Sequence, residues 1–141
     1  GPDNIMESLK AMGANDMKVL RGVEDNKAFQ KGLNNTTTAH DLALLFERMA
    51  EEKLVSAEAS QAMIRILLDQ QFNEIIPARL PGDVKVAHKT GSITGVQHDS
   101  GIVYLPDGRK YVLVLLSRFD PADEKKVITA MAEVSRLIYD H

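Results

Sequence analysis

Ala87-His88-Lys89-Thr90-Gly91-Ser92 is the stretch on which the reading of this chain turns. It follows Leu80-Pro81-Gly82-Asp83, a strong breaker of regular structure. Val84–His88, Gly101–Leu105 and Tyr111–Ser117 read as strands, and Pro106-Asp107-Gly108 joins the last two as a hairpin. Asp120-Pro121-x-Asp123 then opens a helix that runs to about Tyr139. Val127, Ile128, Met131, Val134, Leu137 and Ile138 fall on one face of that helix. On a strand, His88 and Lys89 point to opposite faces. His88 is therefore expected to be structural, and Lys89 taken alone reads as a solvated lysine on an edge strand.

The segment before residue 80 reads as helical. Ile5, Met6, Leu9 and Met12 recur at helical spacing, Pro2 suits a first turn, and Gly13 is the expected stop. Residues 21–37 are polar and punctuated by glycine, a loop of the length that is usually functional or disordered. Thr38-x-x-Asp41 resembles a capping box and predicts a helix to about Glu52, buried along Leu42, Leu45, Phe46 and Met49. Ser56 caps a second helix, with Met63, Ile64, Leu67 and Leu68 expected inward. A short turn is expected around Asn73–Ile76. Helices, three antiparallel strands and a final helix make an α+β pattern.

Composition narrows the function classes. A chain of 141 residues, 44% hydrophobic and 26% charged, has the makings of one ordinary domain with its own core. A net charge of −3 and the absence of Trp speak against nucleic acid as a partner. With no cysteine there is no disulfide, thiolate metal site or thiol nucleophile. No apolar run approaches the ~18–20 residues of a membrane span. The four histidines lack metal-binding spacing, so neither a metal nor a cofactor is expected. His40 is expected at the surface, and His98 and Asp99 in the turn or strand start after Lys89–Ser92, with a solvated turn favoured over a place bordering a pocket. Gly1-Pro2 is either native or the scar of a removed tag.

Taken in order, these features resemble the C-terminal half of class A serine β-lactamases, in the superfamily of penicillin-recognising serine hydrolases. The helix ending at Met12-Gly13 is similar to the segment before that family's omega loop. Arg21-Gly22-Val23-Glu24 resembles the start of the loop and Asn35-Thr36-Thr37 its end. Lys89-Thr90-Gly91-Ser92 resembles the family's strand beside the active site. The fold so implied is β-lactamase/transpeptidase-like but partial. Residues 1–80 would belong to the helical domain, with an omega-like loop at 21–37, and residues 81–141 to the C-terminal part of the α/β domain.

The resemblance also assigns roles. In the superfamily a serine attacks the strained amide, an acyl-enzyme forms, and water hydrolyses it. Lys89 would hold positive charge near the substrate carboxylate, and the Thr90 and Ser92 hydroxyls would hydrogen-bond it. Gly91 lets a ligand approach the strand backbone. The Ser92 N–H would be an oxyanion-hole donor, a contribution of about 3–4 kcal/mol to a transition state. Glu24 is the candidate base for deacylation, acting through a water. The family has Arg-x-Glu where this chain has Arg21-x-x-Glu24, so either the loop carries an insertion or another residue takes the role. The bland alternative for Glu24 is an exposed loop carboxylate. Arg21 and Asn35 are the candidate loop anchors. Asn35 stands where the family has an aspartate, which reduces an ion pair to a hydrogen bond and leaves Asp25 or Asp41 as alternative partners for Arg21.

No serine among the 141 residues is followed three positions on by lysine, so the family's nucleophile motif is absent from this sequence. The chain alone is therefore expected not to turn over β-lactams. Three arrangements stay open: a piece of a cleaved enzyme, a truncation, or a domain that covers its bare surfaces by dimerising or swapping. The implied partners are a β-lactam in the complete enzyme, and either the missing N-terminal half or a second copy. A peptidoglycan carboxypeptidase or transpeptidase relative, and a non-catalytic binding scaffold, remain alternatives. Export to the periplasm or cell exterior is implied by the resemblance alone.

Overall fold

The polar run after His88 does not end the first strand. In the computed structural model, which describes residues 1–141, β1 spans Lys85–Ile93, β2 Val96–Tyr104 and β3 Lys110–Arg118. They form one antiparallel sheet in the order β1-β2-β3. β1 runs on past His88 and β2 begins well before Gly101, because Thr94-Gly95 makes a tight turn that continues pairing from Lys85↔Tyr104 to Ile93↔Val96, while β3 gains one residue at each end. Gly95 takes φ +73 there, and a Cβ added to it would lie 3.0 Å from the Phe119 carbonyl. His98 and Asp99 accordingly lie at the start of β2, the strand alternative, and the favoured solvated turn is overturned, since Asp99 is fully buried.

The helices are α1 (Pro2–Ala11), α2 (Asn26–Gln30), α3 (Ala39–Ala50), α4 (Ala57–Leu68) and α5 (Glu124–Asp140), the last preceded by a 3-10 turn at Pro121–Asp123. Gly13 ends α1 at φ +85, its N–H bonding to the Lys10 carbonyl and that of Ala14 to the Leu9 carbonyl. The short α2 is unannounced by apolar periodicity; Asp25 caps it by accepting from the Ala28 N–H at 2.9 Å. The Thr38 hydroxyl accepts from the Asp41 N–H at 3.1 Å, half of the expected capping box. The other half does not form, because the Asp41 carboxylate turns instead to the N–H groups of Asp16 (2.8 Å) and Met17 (2.6 Å). Ser56 caps α4 as expected, bonding the Ala59 N–H. Leu68, expected inward, is exposed.

The chain divides into two compact units, Gly1–Leu45 and Phe46–His141. In the first, Leu9, Ala14 and Met17 are buried with Met6, Val19, Leu42 and Leu45 around them. In the second, Ile75, Ile76, Val86, Val103, Leu113 and Met131 make the core, with Val127 and Ile128 of α5 against it. Only part of the predicted α5 stripe is covered. Met131, Ala132 and Ser135 are buried, whereas Val134, Leu137 and Ile138 are exposed. The buried face is displaced toward Ser135, whose hydroxyl donates to the Ile76 carbonyl at 2.8 Å.

Candidate active site

β1 is an edge strand, so one side of Lys89–Ser92 has no strand partner. A cavity of about 450 Å³ opens there, lined by Lys89, Thr90, Gly91 and Ser92 together with Phe72, Ile75, Gln97 and Glu124. That volume suits a small organic ligand. Strand alternation places Lys89 and Gly91 on one face and His88, Thr90 and Ser92 on the other. The Lys89 ammonium is exposed and bonds the Thr90 carbonyl, so a cation sits at the mouth of the cavity with its other donor hydrogens free for an anion. Gly91 has only the His98 side chain near its α-carbon, at 4.0 Å from an added Cβ. The four residues singled out from sequence in this strand are thus brought together around one opening.

Two lining residues had no sequence signal of their own. Gln97 pairs directly with Ser92 across the hairpin, and its buried Oε1 has no hydrogen-bond partner. Phe72 lies beyond the end of α4 and is exposed. Only the pairing register identifies Gln97, and it became visible once β1 and β2 were known to extend to the Thr94-Gly95 turn.

In the first unit the loop 21–37 is tied at its base. Lys18 and Thr36 form an isolated antiparallel bridge, each N–H bonding the other's carbonyl at 2.9 Å. The Asn35 Oδ1 accepts from the N–H groups of Leu20 (2.9 Å) and Arg21 (3.1 Å), and its Nδ2 donates to the Arg21 carbonyl. Asn35 therefore anchors Arg21 through backbone, not through the guanidinium. That guanidinium curls onto the carbonyls of Gly22 (2.8 Å) and Val23 (2.6 Å) and stacks over Phe29 at 5.1 Å. Neither alternative partner is used, since Asp25 caps α2 and Asp41 holds Asp16 and Met17. Glu24 is exposed, and its carbonyl accepts from the Asn26 N–H. No three His, Asp or Glu side chains converge in a way that could hold a metal ion.

The sequence model of the "Beta-lactamase enzyme family" matches residues 1–141. The chain belongs to that β-lactamase family. A β-lactamase of Bacteroides uniformis is 26% identical over 124 residues, 82% of this chain and 42% of its own length. The extended-spectrum β-lactamase PER-1 of Pseudomonas aeruginosa is 27% identical over 99% of this chain and 48% of its own. Among solved structures, PBP-A superposes with a TM-score of 0.87 at 26% identity, over 99% of this chain and 51% of that one. A β-lactamase from Chitinophaga pinensis reaches 0.89 at 24% identity, which speaks to the fold alone. The chain spans about half the length of the relatives it matches. The class A resemblance carried by Lys89–Ser92 and the ordered features around it is borne out, as is the β-lactamase/transpeptidase-like α+β fold.

Proposed function

We propose that this chain is the substrate-clamping part of a serine hydrolase that opens β-lactam rings through an acyl-enzyme. The observation that carries the reading is the cavity at the free edge of β1, lined by Lys89, Thr90, Gly91 and Ser92. Lys89 supplies positive charge for the β-lactam carboxylate, and the Thr90 and Ser92 hydroxyls bond it. The Ser92 N–H takes the developing oxyanion. The serine that attacks, with its lysine, comes from a segment outside these 141 residues. Its oxygen bonds the lactam carbonyl carbon, the C–N bond breaks, and the ring nitrogen takes a proton. Water then cleaves the ester, with Glu24 as base. The loop 21–37, closed by Asn35 and the Lys18–Thr36 bridge, supports an omega-loop role. The substrate class and the family together favour action outside the cytoplasm, and no helix is long and apolar enough to cross a membrane.

One observation favours a second reading, a penicillin-binding relative that acylates but hydrolyses slowly. The Glu24 carboxylate stands exposed at a longer spacing from Arg21 than the family's pattern. A variant of PBP-A, a structural neighbour, was captured as an acyl-enzyme complex with penicillin G.

Mass spectrometry after incubation with penicillin G tests both. A polypeptide joining this chain to a Ser-x-x-Lys-bearing N-terminal half is expected to gain the drug's mass and then lose it. Glu24→Ala is expected to prolong the adduct by about a hundredfold or more. The 141-residue chain alone is expected to gain no mass and to leave a chromogenic cephalosporin intact. Turnover by the chain alone sinks the proposal. A long-lived adduct unaffected by Glu24→Ala selects the second reading.

A further inference from the structure

His88 lies directly before Lys89, and its imidazole is 1% exposed. Its Nδ1 is 2.8 Å from Oδ1 of Asp99, which is 0% exposed, and its Nε2 is 3.1 Å from Oδ1 of Asn73. At its other end the Asn73 amide donates Nδ2 to the Gln70 carbonyl at 3.1 Å. Both ring nitrogens of His88 therefore have a fixed side-chain partner, the Asp99 carboxylate on one side and the Asn73 amide on the other. The second carboxylate oxygen of Asp99 accepts from the buried Ile76 N–H at 3.0 Å. The result is a closed network joining β1, β2 and the Asn73–Ile76 segment.

Its position matters as much as its content. Asp99 is the direct cross-strand partner of Thr90, and His88 that of Gly101. A Cβ on Gly101 would lie 2.6 Å from the Cβ of His88 and 2.5 Å from the Ala87 carbonyl, so glycine is what lets β2 pass this close. Burying such a pair gains little stability over apolar residues of equal size. What it provides is direction, since two charge-assisted bonds and one to Asn73 fix the strand's height and rotation immediately before Lys89.

We propose that His88, held between Asp99 and Asn73, is a positioning residue that sets Lys89–Ser92 for the ligand carboxylate. The inference rests on the β-lactam reading of that strand, but half of its test does not. In nitrogen-15 NMR spectra of the chain, the His88 Nδ1 is expected to carry a proton that is bonded to Asp99 and slow to exchange with solvent. A ring proton that exchanges freely overturns the proposal. In the nucleophile-completed protein, His88→Gln is expected to raise KM for penicillin roughly tenfold or more with less change in kcat. The double variant His88→Leu with Asp99→Val, which replaces the pair by apolar groups, separates fold from positioning. It is expected to recover thermal stability while KM stays raised. Recovery of wild-type KM in the double variant overturns the proposal. Failure of the unaltered protein to be acylated at all overturns the β-lactam reading instead, and the NMR arm then decides the His88 assignment by itself.

Discussion

Gly101 is the position where a single methyl group matters most. A Cβ added there would press on the Ala87 carbonyl and the His88 Cα and Cβ, none of which can swing aside as a flexible side chain can. Gly101→Ala must push β1 and β2 apart locally, and is expected to cost about 1–3 kcal/mol in urea unfolding. A loss below about 0.5 kcal/mol would show that the strands separate freely here. Sequence exposes part of this scale. Lys89, Thr90, Gly91 and Ser92 were legible because their residue types carry their chemistry. The Asp99–His88–Asn73 network was not, since its members are separated in sequence and meet only through strand register and the turn after α4. Arg21 shows the opposite failure. Its pairing by charge with Asp25 or Asp41 was a fair expectation, but its Nη1 goes to nearby carbonyls and its plane to the Phe29 ring, while its buried Nε has no partner.

Among the elements, β3 carries a side chain at odds with its surroundings. Tyr111 packs beside the core of the second unit, and its buried hydroxyl has no hydrogen-bond partner. Burial pushes its phenol above the ordinary tyrosine value, and the nearby Tyr139 adds to the effect. The sign follows from linkage. The unfolded chain's phenol ionises near pH 10, so the folded state's advantage is whole below that pH and is lost as pH rises through the folded value. Tyr111→Phe is expected to raise stability at neutral pH by up to about 1 kcal/mol and to flatten the alkaline decline in melting temperature. An unchanged alkaline limb would place the decline elsewhere, as in Tyr104, whose phenol burial also raises. The helix ends, by contrast, were legible: Ser56 and Gly13 act through local backbone geometry that any neighbourhood leaves intact.

At the scale of the whole chain, the unresolved matter is surface. α5 leaves Val134, Leu137 (69% exposed) and Ile138 uncovered, and β3 is a free edge strand. Apolar stripes beside unpaired strand edges favour association. The 141-residue chain is expected to self-associate in sedimentation velocity as concentration rises, and Leu137→Glu is expected to reduce this. A monodisperse monomer at high concentration, unaltered by the substitution, would show that this face is tolerated by solvent.

The sequence by itself determined what is local. Its periodicities, caps and breakers set the element types and their order, and the Lys89–Ser92 motif with its ordered neighbours pointed to the family. The tertiary structure alone decided what depends on register and burial. It extended β1 and β2 through a polar run, because ladder hydrogen bonds do not require apolar side chains. It turned the Asp41 carboxylate from a capping role to two distant N–H groups, and it buried His98's neighbour Asp99 against His88. Residues far apart in the chain become partners only when packing brings them together, and no local pattern encodes that distance.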